Sequence, residues 1–231
     1  MSETYFIGWD VGAWNCDKNS NSRDAIVILD GKECLIGTPW RGSLRETINK
    51  SKSTKDFIAA LFSLCGLVNT ENKNVTMAID APLGFSDGLI NLLNGTIFNK
   101  NIESHACNPY LFRETEQYLF KEGFKPLSSI KDMIGSQTTK AMHVVKKFAA
   151  NIESCGVWID NSKKLRIIET YPAACKELNL KNKLEDNENQ DIKDALVCAE
   201  IAYIFETNKD RLRAPSSEIS EKEGWIWTLQ N

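Results

Sequence analysis

Apolar residues cluster in short runs along the chain, and several of the runs end on an acid. The first, Tyr5-Phe6-Ile7-Gly8-Trp9-Asp10, is rich in aromatic and branched residues and is followed by Val11-Gly12. That pattern predicts a buried strand. A polar stretch from Asn15 to Asp24 leads to Ala25-Ile26-Val27-Ile28-Leu29, a second strand, and Asp30-Gly31 marks a turn after it. Glu33 to Gly37 is expected to return as a third strand, giving an antiparallel meander. The polar segment from Arg41 to Ser53 precedes a helix with Thr54 as N-cap. Its apolar stripe is Phe57, Ile58, Leu61, Leu64 and Cys65, and Gly66 lies near its end. Val75-Thr76-Met77-Ala78-Ile79 is a continuous apolar run ending in Asp80-Ala81-Pro82. A helix before such a run predicts a crossover into a parallel strand buried on both faces.

Residues 83–155 read as a helical elaboration of this core. Asn108 is the expected N-cap of one helix, with Pro109 at its first position and Gly123 as its stop. A longer helix is expected from Ser136 to about Glu153, with Met142, Val145, Phe148, Ala149 and Ile152 as its buried stripe. Its first turns carry Gln137, Lys140 and His143, which read either as a solvated face or as an edge facing substrate. Val157-Trp158-Ile159 and Leu165-Arg166-Ile167-Ile168 flank a turn, and the second run ends in Glu169, with Pro172 opening a short helix. Lys181 to Gln190 is charged and reads as an exposed loop. From Asp191 onward, Ala and Leu predict a strong helix. Asp191 and Asp194 share one face of it, and both suit the positive end of the helix dipole, Asp191 as the N-cap. Gly224-Trp225-Ile226-Trp227 is expected as a closing strand or packed tail.

With 231 residues, 42% hydrophobic, the chain suits one large α/β domain over 1–231 with 83–155 inserted in it. A net charge of -3 carries no signature of a nucleic-acid binder, although a local basic surface remains open. No apolar run reaches the roughly 20 residues that span a bilayer, and the start Met-Ser-Glu-Thr lacks the pattern of a signal peptide, so a cytoplasmic protein without membrane contact is expected. Seven cysteines, odd in number and without a Cys-x-x-Cys, argue against a disulfide framework and a zinc ribbon.

Acids at strand ends are the candidate chemistry. An aspartate is a poor strand former and is costly to bury without a partner. Asp10 therefore either caps the turn after its strand or holds a metal ion. Asp80 occupies the equivalent place on another strand, and in open α/β sheets sites form beyond the carboxyl ends of strands.

The order of elements and the placement of acids resemble the ribonuclease H-like superfamily: a mixed sheet of three antiparallel strands plus parallel ones, flanked by helices. More closely, five blocks are similar to the domain-of-unknown-function 429 family of predicted ribonuclease H-like nucleases. They are Gly8-Trp9-Asp10-Val11-Gly12, Ala78-Ile79-Asp80-Ala81-Pro82, Glu169-Thr170-Tyr171-Pro172, Asp194-Ala195-Leu196-Val197-Cys198-Ala199 and Glu223-Gly224-Trp225-Ile226-Trp227. The resemblance implies a nuclease that hydrolyses phosphodiester bonds of DNA or RNA with two Mg2+ or Mn2+ ions. It implies Asp10 as the bridging ligand, Asp80 on one ion, and Asp194 with Asp191 completing the set. Glu169 is a further catalytic candidate, and Arg113, Lys140 and His143 are candidates for contacting phosphate. The chemistry suits the residues, since Mg2+ takes hard oxygen ligands, and paired ions can hold the attacking and leaving oxygens of an in-line displacement.

Two other readings compete. Gly8-Trp9-Asp10-Val11-Gly12 also resembles the first phosphate loop of actin- and sugar-kinase-like phosphotransferases, which bind ATP between two such domains. A non-catalytic binding module with the acids serving as turn caps is the second.

Overall fold

The computed structural model describes residues 3–19, 21–68, 73–98, 101–102, 104–175, 178, 183–185 and 188–230. It is built on an open eight-stranded mixed sheet with helices on its faces. The strands are β1 (Thr4–Asp10), β2 (Asp24–Leu29), β3 (Trp40–Gly42), β4 (Asn74–Asp80), β5 (Asn151–Ser154), β6 (Val157–Ile159), β7 (Leu165–Thr170) and β8 (Ile226–Trp227). Their order is β3-β2-β1-β4-β7-β6-β5, and β8 pairs with β7. Strand β1 is antiparallel to β2 and parallel to β4, and β4 is parallel to β7. The helices are α1 (Arg45–Lys50), α2 (Thr54–Leu64), α3 (Asp87–Leu93), α4 (Glu114–Lys121), α5 (Gly135–Phe148) and α6 (Gln190–Thr207).

Period-2 alternation divides the core. Tyr5, Ile7 and Trp9 of β1, with Val75, Met77 and Ile79 of β4, pack on the side of α2 and α5. Phe6 and Ala78 pack on the other side against α6. Asp10 and Asp80 have the same parity as Phe6 and Ala78, so they emerge on the α6 side. Gly8 is what lets α6 sit there. A Cβ at this position would stand 1.7 Å from the Ala195 carbonyl oxygen and 2.5 Å from the Ala199 nitrogen. The small residues of α6 therefore rest directly on the β1 backbone, and the first turns of α6 reach the carboxyl ends of β1 and β4.

The parallel crossover into β4 and the β6–β7 hairpin follow the sequence pattern. Other boundaries differ. Glu33 to Gly37 does not form the third strand: Leu35 makes one bridge to Leu29, and the edge strand is Trp40–Gly42. The Asp30 carboxylate explains this, since it accepts the Lys32 and Cys34 N–H groups and curls the segment into a local turn. The N-cap of α2 is Ser53 rather than Thr54, its side chain accepting from the Asp56 N–H. Asn108 is not the N-cap of a helix but closes the short 3-10 turn His105–Cys107, its N–H donating to the His105 carbonyl oxygen. Its side chain accepts from the Tyr110 N–H within a turn, and α4 begins six residues later behind Arg113. Helix α5 stops at Phe148, and Asn151–Ser154 becomes an edge strand of exposed residues, so Ile152 is not in the core. Asn189, not Asp191, caps α6 through the Asp191 N–H. Of the expected loop over 181–190, residues 181–182 and 186–187 lie outside the described residues, and Gln190 already belongs to α6.

Candidate functional site

Asp10 and Asp80 end adjacent parallel strands and are direct register partners. Neighbouring strands lie about 4.8 Å apart, and registered residues of a parallel pair point to the same face, so the two side chains leave the sheet together. Both residues are partly buried. Burial pushes the Asp10 carboxyl from 3.8 up to about 9, with the charges of Asp80, Asp191, Asp194 and Asp24 adding to the effect. Burial likewise pushes Asp80 up to about 8, helped by Asp194 and Glu169. Among the described residues neither carboxylate accepts a hydrogen bond or pairs with a cation. Desolvated acids normally acquire such partners, and these two have only each other and further acids.

Helix α6 supplies the next two acids. Asp194 accepts from the Gln190 side chain at 2.9 Å. Burial raises its pKa against that hydrogen bond, and Asp191 raises it further. Asp191 is held by the Arg41 guanidinium at 2.7 Å and by the Arg23 N–H at 3.0 Å. It thus ties α6 to β3 and to the loop before β2. Among the described residues no group of three or more His, Cys, Asp or Glu stands ready to hold a metal ion. What the fold brings together is a pair of free carboxylates, with a third acid alongside that is engaged elsewhere.

The acids open into two cavities that meet at Asp80. One, of about 200 Å3, is lined by Asp10, Asp80, Pro126, Leu127, Gln137 and Tyr171, among others. The other, of about 510 Å3, is lined by Asp80, Tyr171, Gln190, Lys193 and Asp194, among others.

Glu169 lies at the rim of the smaller cavity but is committed to a different task. It is the register partner of Ile79, so it projects from the sheet face opposite to Asp80. There it receives Arg113 Nη1 and Nη2 at 2.9 and 2.5 Å, and the Leu83 N–H at 2.8 Å. Arg113 is buried, pairs also with Glu116, and donates to the Glu223 carbonyl oxygen. Arg113 is therefore a structural cation that ties α4, β7 and the C-terminal segment together, with no guanidinium surface left for phosphate. Lys140 is fully buried as well. Its Nζ donates to Asp24 and to the Gly12 and Ala13 carbonyl oxygens. Asp24 in turn accepts from the Gly12 N–H, the Leu44 N–H and the Trp9 indole. This knot fixes the turn directly after Asp10, and Gly12 is needed within it: a Cβ there would stand 2.7 Å from the Arg23–Asp24 backbone. His143 is exposed and lies edge-on to Trp14, away from both cavities.

Comparison with known proteins adds no relative: no family model, no curated protein and no solved structure matches the chain. The site is therefore read from its own residues. Sequence reasoning missed Tyr171, which walls both cavities, and the Pro126–Leu127 segment. Tyr171 sits two residues beyond Glu169, just past the end of β7, and strand-end position is the signal that points to it. Nothing in the local pattern marks Pro126 or Leu127.

Proposed function

We propose that this protein is a metal-dependent phosphodiester hydrolase in which Asp10 and Asp80 hold a divalent cation, Mg2+ or Mn2+. The observation that carries the reading is the registered pair of desolvated carboxylates with no protein partner. Such a pair is unfavourable by itself and becomes favourable around a cation. Mg2+ is commonly bound through one or two carboxylates, with waters and substrate phosphate filling the remaining positions, so two ready ligands fit it. Asp194 would join as a third ligand on releasing Gln190, which is what a second ion requires. When bound, the metal supplies Lewis-acid polarisation of a phosphoryl oxygen and an acidified water. The chain itself holds the two carboxylates in register through β1 and β4. It fixes the turn after Asp10 through Asp24 and Lys140, and it shields the acids from bulk water with α6 and Tyr171.

The sheet order β3-β2-β1-β4-β7, antiparallel then parallel, supports the ribonuclease H-like assignment and with it a DNA or RNA substrate. The turn-cap reading is weakened, because neither Asp10 nor Asp80 accepts a turn N–H among the described residues. Titration calorimetry with Mg2+ and Mn2+ tests the cation site. A panel of labelled DNA and RNA, with metal or chelator, tests the activity. The expected result is metal-dependent cleavage that is lost in Asp10→Asn. Absence of metal binding, or equal cleavage by wild type and Asp10→Asn, sinks the proposal.

A further inference from the structure

We infer that the smaller cavity beside Asp10 and Asp80 receives one unstacked nucleobase, so that the substrate is single-stranded or frayed nucleic acid rather than continuous duplex. This inference rests on the hydrolase reading and specifies its substrate.

Three features carry it. The first is size. At about 200 Å3 the cavity falls below the roughly 300–1,000 Å3 of pockets that bury a whole drug-sized ligand, so it takes one fragment of a larger molecule. The second is chemistry. Pro82, Pro126, Leu127, Ile134 and Tyr171 form an apolar wall, and among the described residues no Lys, Arg or His lines the cavity. Such a wall suits the face of an aromatic base and gives a phosphate nothing to bind except through a cation on the carboxylates. The Tyr171 ring is fixed in place, because its hydroxyl donates to the Lys125 carbonyl oxygen at 3.0 Å. A fixed ring is the kind of stacking surface that single-strand binders use, and it tolerates any base.

The third feature is Gln137. It lines the cavity, and its amide makes no side-chain hydrogen bond to any described residue. A primary amide offers both donor and acceptor groups, which suits the hydrogen-bonding edge of a base. On the far side of Tyr171, the 510 Å3 cavity shares Asp80 and contains Lys193. It leaves room for the strand that continues beyond the phosphate. A base inside a duplex cannot reach a pocket of this kind without leaving its stack.

The test uses short single-stranded DNA and RNA, the matching duplexes, and single strands carrying one abasic position. Binding is followed by fluorescence anisotropy in Ca2+, and cleavage in Mg2+. Wild type is compared with Tyr171→Ala and Leu127→Ala. Leu127 is 51% exposed, so its replacement leaves folding intact even if Tyr171→Ala does not. Single strands are expected to outrun duplexes at least about tenfold, and an abasic position to weaken binding about tenfold, as loss of one stacked base does. Both variants are expected to flatten these differences. Duplex or abasic substrates handled as well as intact single strands, or discrimination kept in both variants, overturns the inference. Cleavage without base dependence leaves the hydrolase standing and removes the base pocket. Base-dependent binding without cleavage of any substrate does the reverse, and absence of both removes the two together.

Discussion

Two sets of acids, one fully buried and one partly buried, lie near one another at the carboxyl edge of the sheet, and they are treated in opposite ways. Glu169, Glu116 and Asp24 are each locked to a buried cation, Arg113 or Lys140, and receive backbone N–H groups as well. Asp10 and Asp80 receive nothing from the described residues. The first set is satisfied by the fold. The second is left to be satisfied by something that binds. Partnership with a cation thus separates a structural acid from a candidate ligand. A buried pair also stabilises little against a well-packed apolar substitute, so the locked acids are better understood as fixing geometry than as adding stability.

The contrast can be broken most forcefully at Arg113. Arg113→Ala strands Glu116 and Glu169 as uncompensated buried charges, and we expect a loss of about 3–5 kcal/mol in urea unfolding, with Lys140→Ala comparable through Asp24. A loss under about 1 kcal/mol in both would show that these pairs do not hold the site's frame. Removing an acid from the free pair should act on binding instead. Asp80→Asn or Asp10→Asn is expected to weaken Mn2+ affinity by at least about a hundredfold, since even outer-shell changes cost roughly 10–100-fold. Calorimetric titration reads this directly.

The same substitution should stabilise the metal-free protein. Asp10 and Asp80 titrate near 9 and 8 when folded and near 3.8 when unfolded. Between about pH 4 and 9 the folded chain therefore holds protons that the unfolded chain has released, and stability falls as pH rises through that window. Asp10→Asn should raise stability at pH 8 without metal and flatten the slope, as read from denaturation midpoints across pH. Mg2+ added at pH 7 should release protons, and no proton release would argue against ligation by these carboxylates. The smallest effect sharpens the contrast from the other side. Glu169→Gln should change metal affinity by less than about tenfold, because Glu169 is committed to Arg113 on the opposite face. A change as large as that of Asp80→Asn would return Glu169 to the ligand set.

Much of this architecture was legible in the chain. The alternation in Tyr5–Asp10, the continuous run before Asp80 and the Ala-rich helix after Asp191 each predict their element, because burial pattern and local propensity agree there. Boundaries failed where a side chain competed with the backbone pattern, as Asp30 does in curling the segment before Leu35, and as Arg113 does in starting α4 with Glu116 in place of Asn108. The acids at the ends of β1 and β4 could be chosen from sequence because strand ends are where sites form. Even the face of Glu169 is implicit in parity, since it stands an even number of residues from the core positions Leu165 and Ile167, whereas Asp10 is even with Phe6 on the α6 side.

What the sequence alone determined, then, was the set of elements and the acids at their ends, because both depend on neighbours one to four residues away. Which acids are free and which are spent was decided only by the tertiary structure. The cations concerned are remote in the chain, Arg113 being 56 residues from Glu169 and Lys140 116 residues from Asp24. The cavity wall formed by Tyr171 and Leu127 depends equally on segments that meet only when the chain is folded. Pairing of charges and enclosure of space are properties of distance in three dimensions, and no local pattern encodes them.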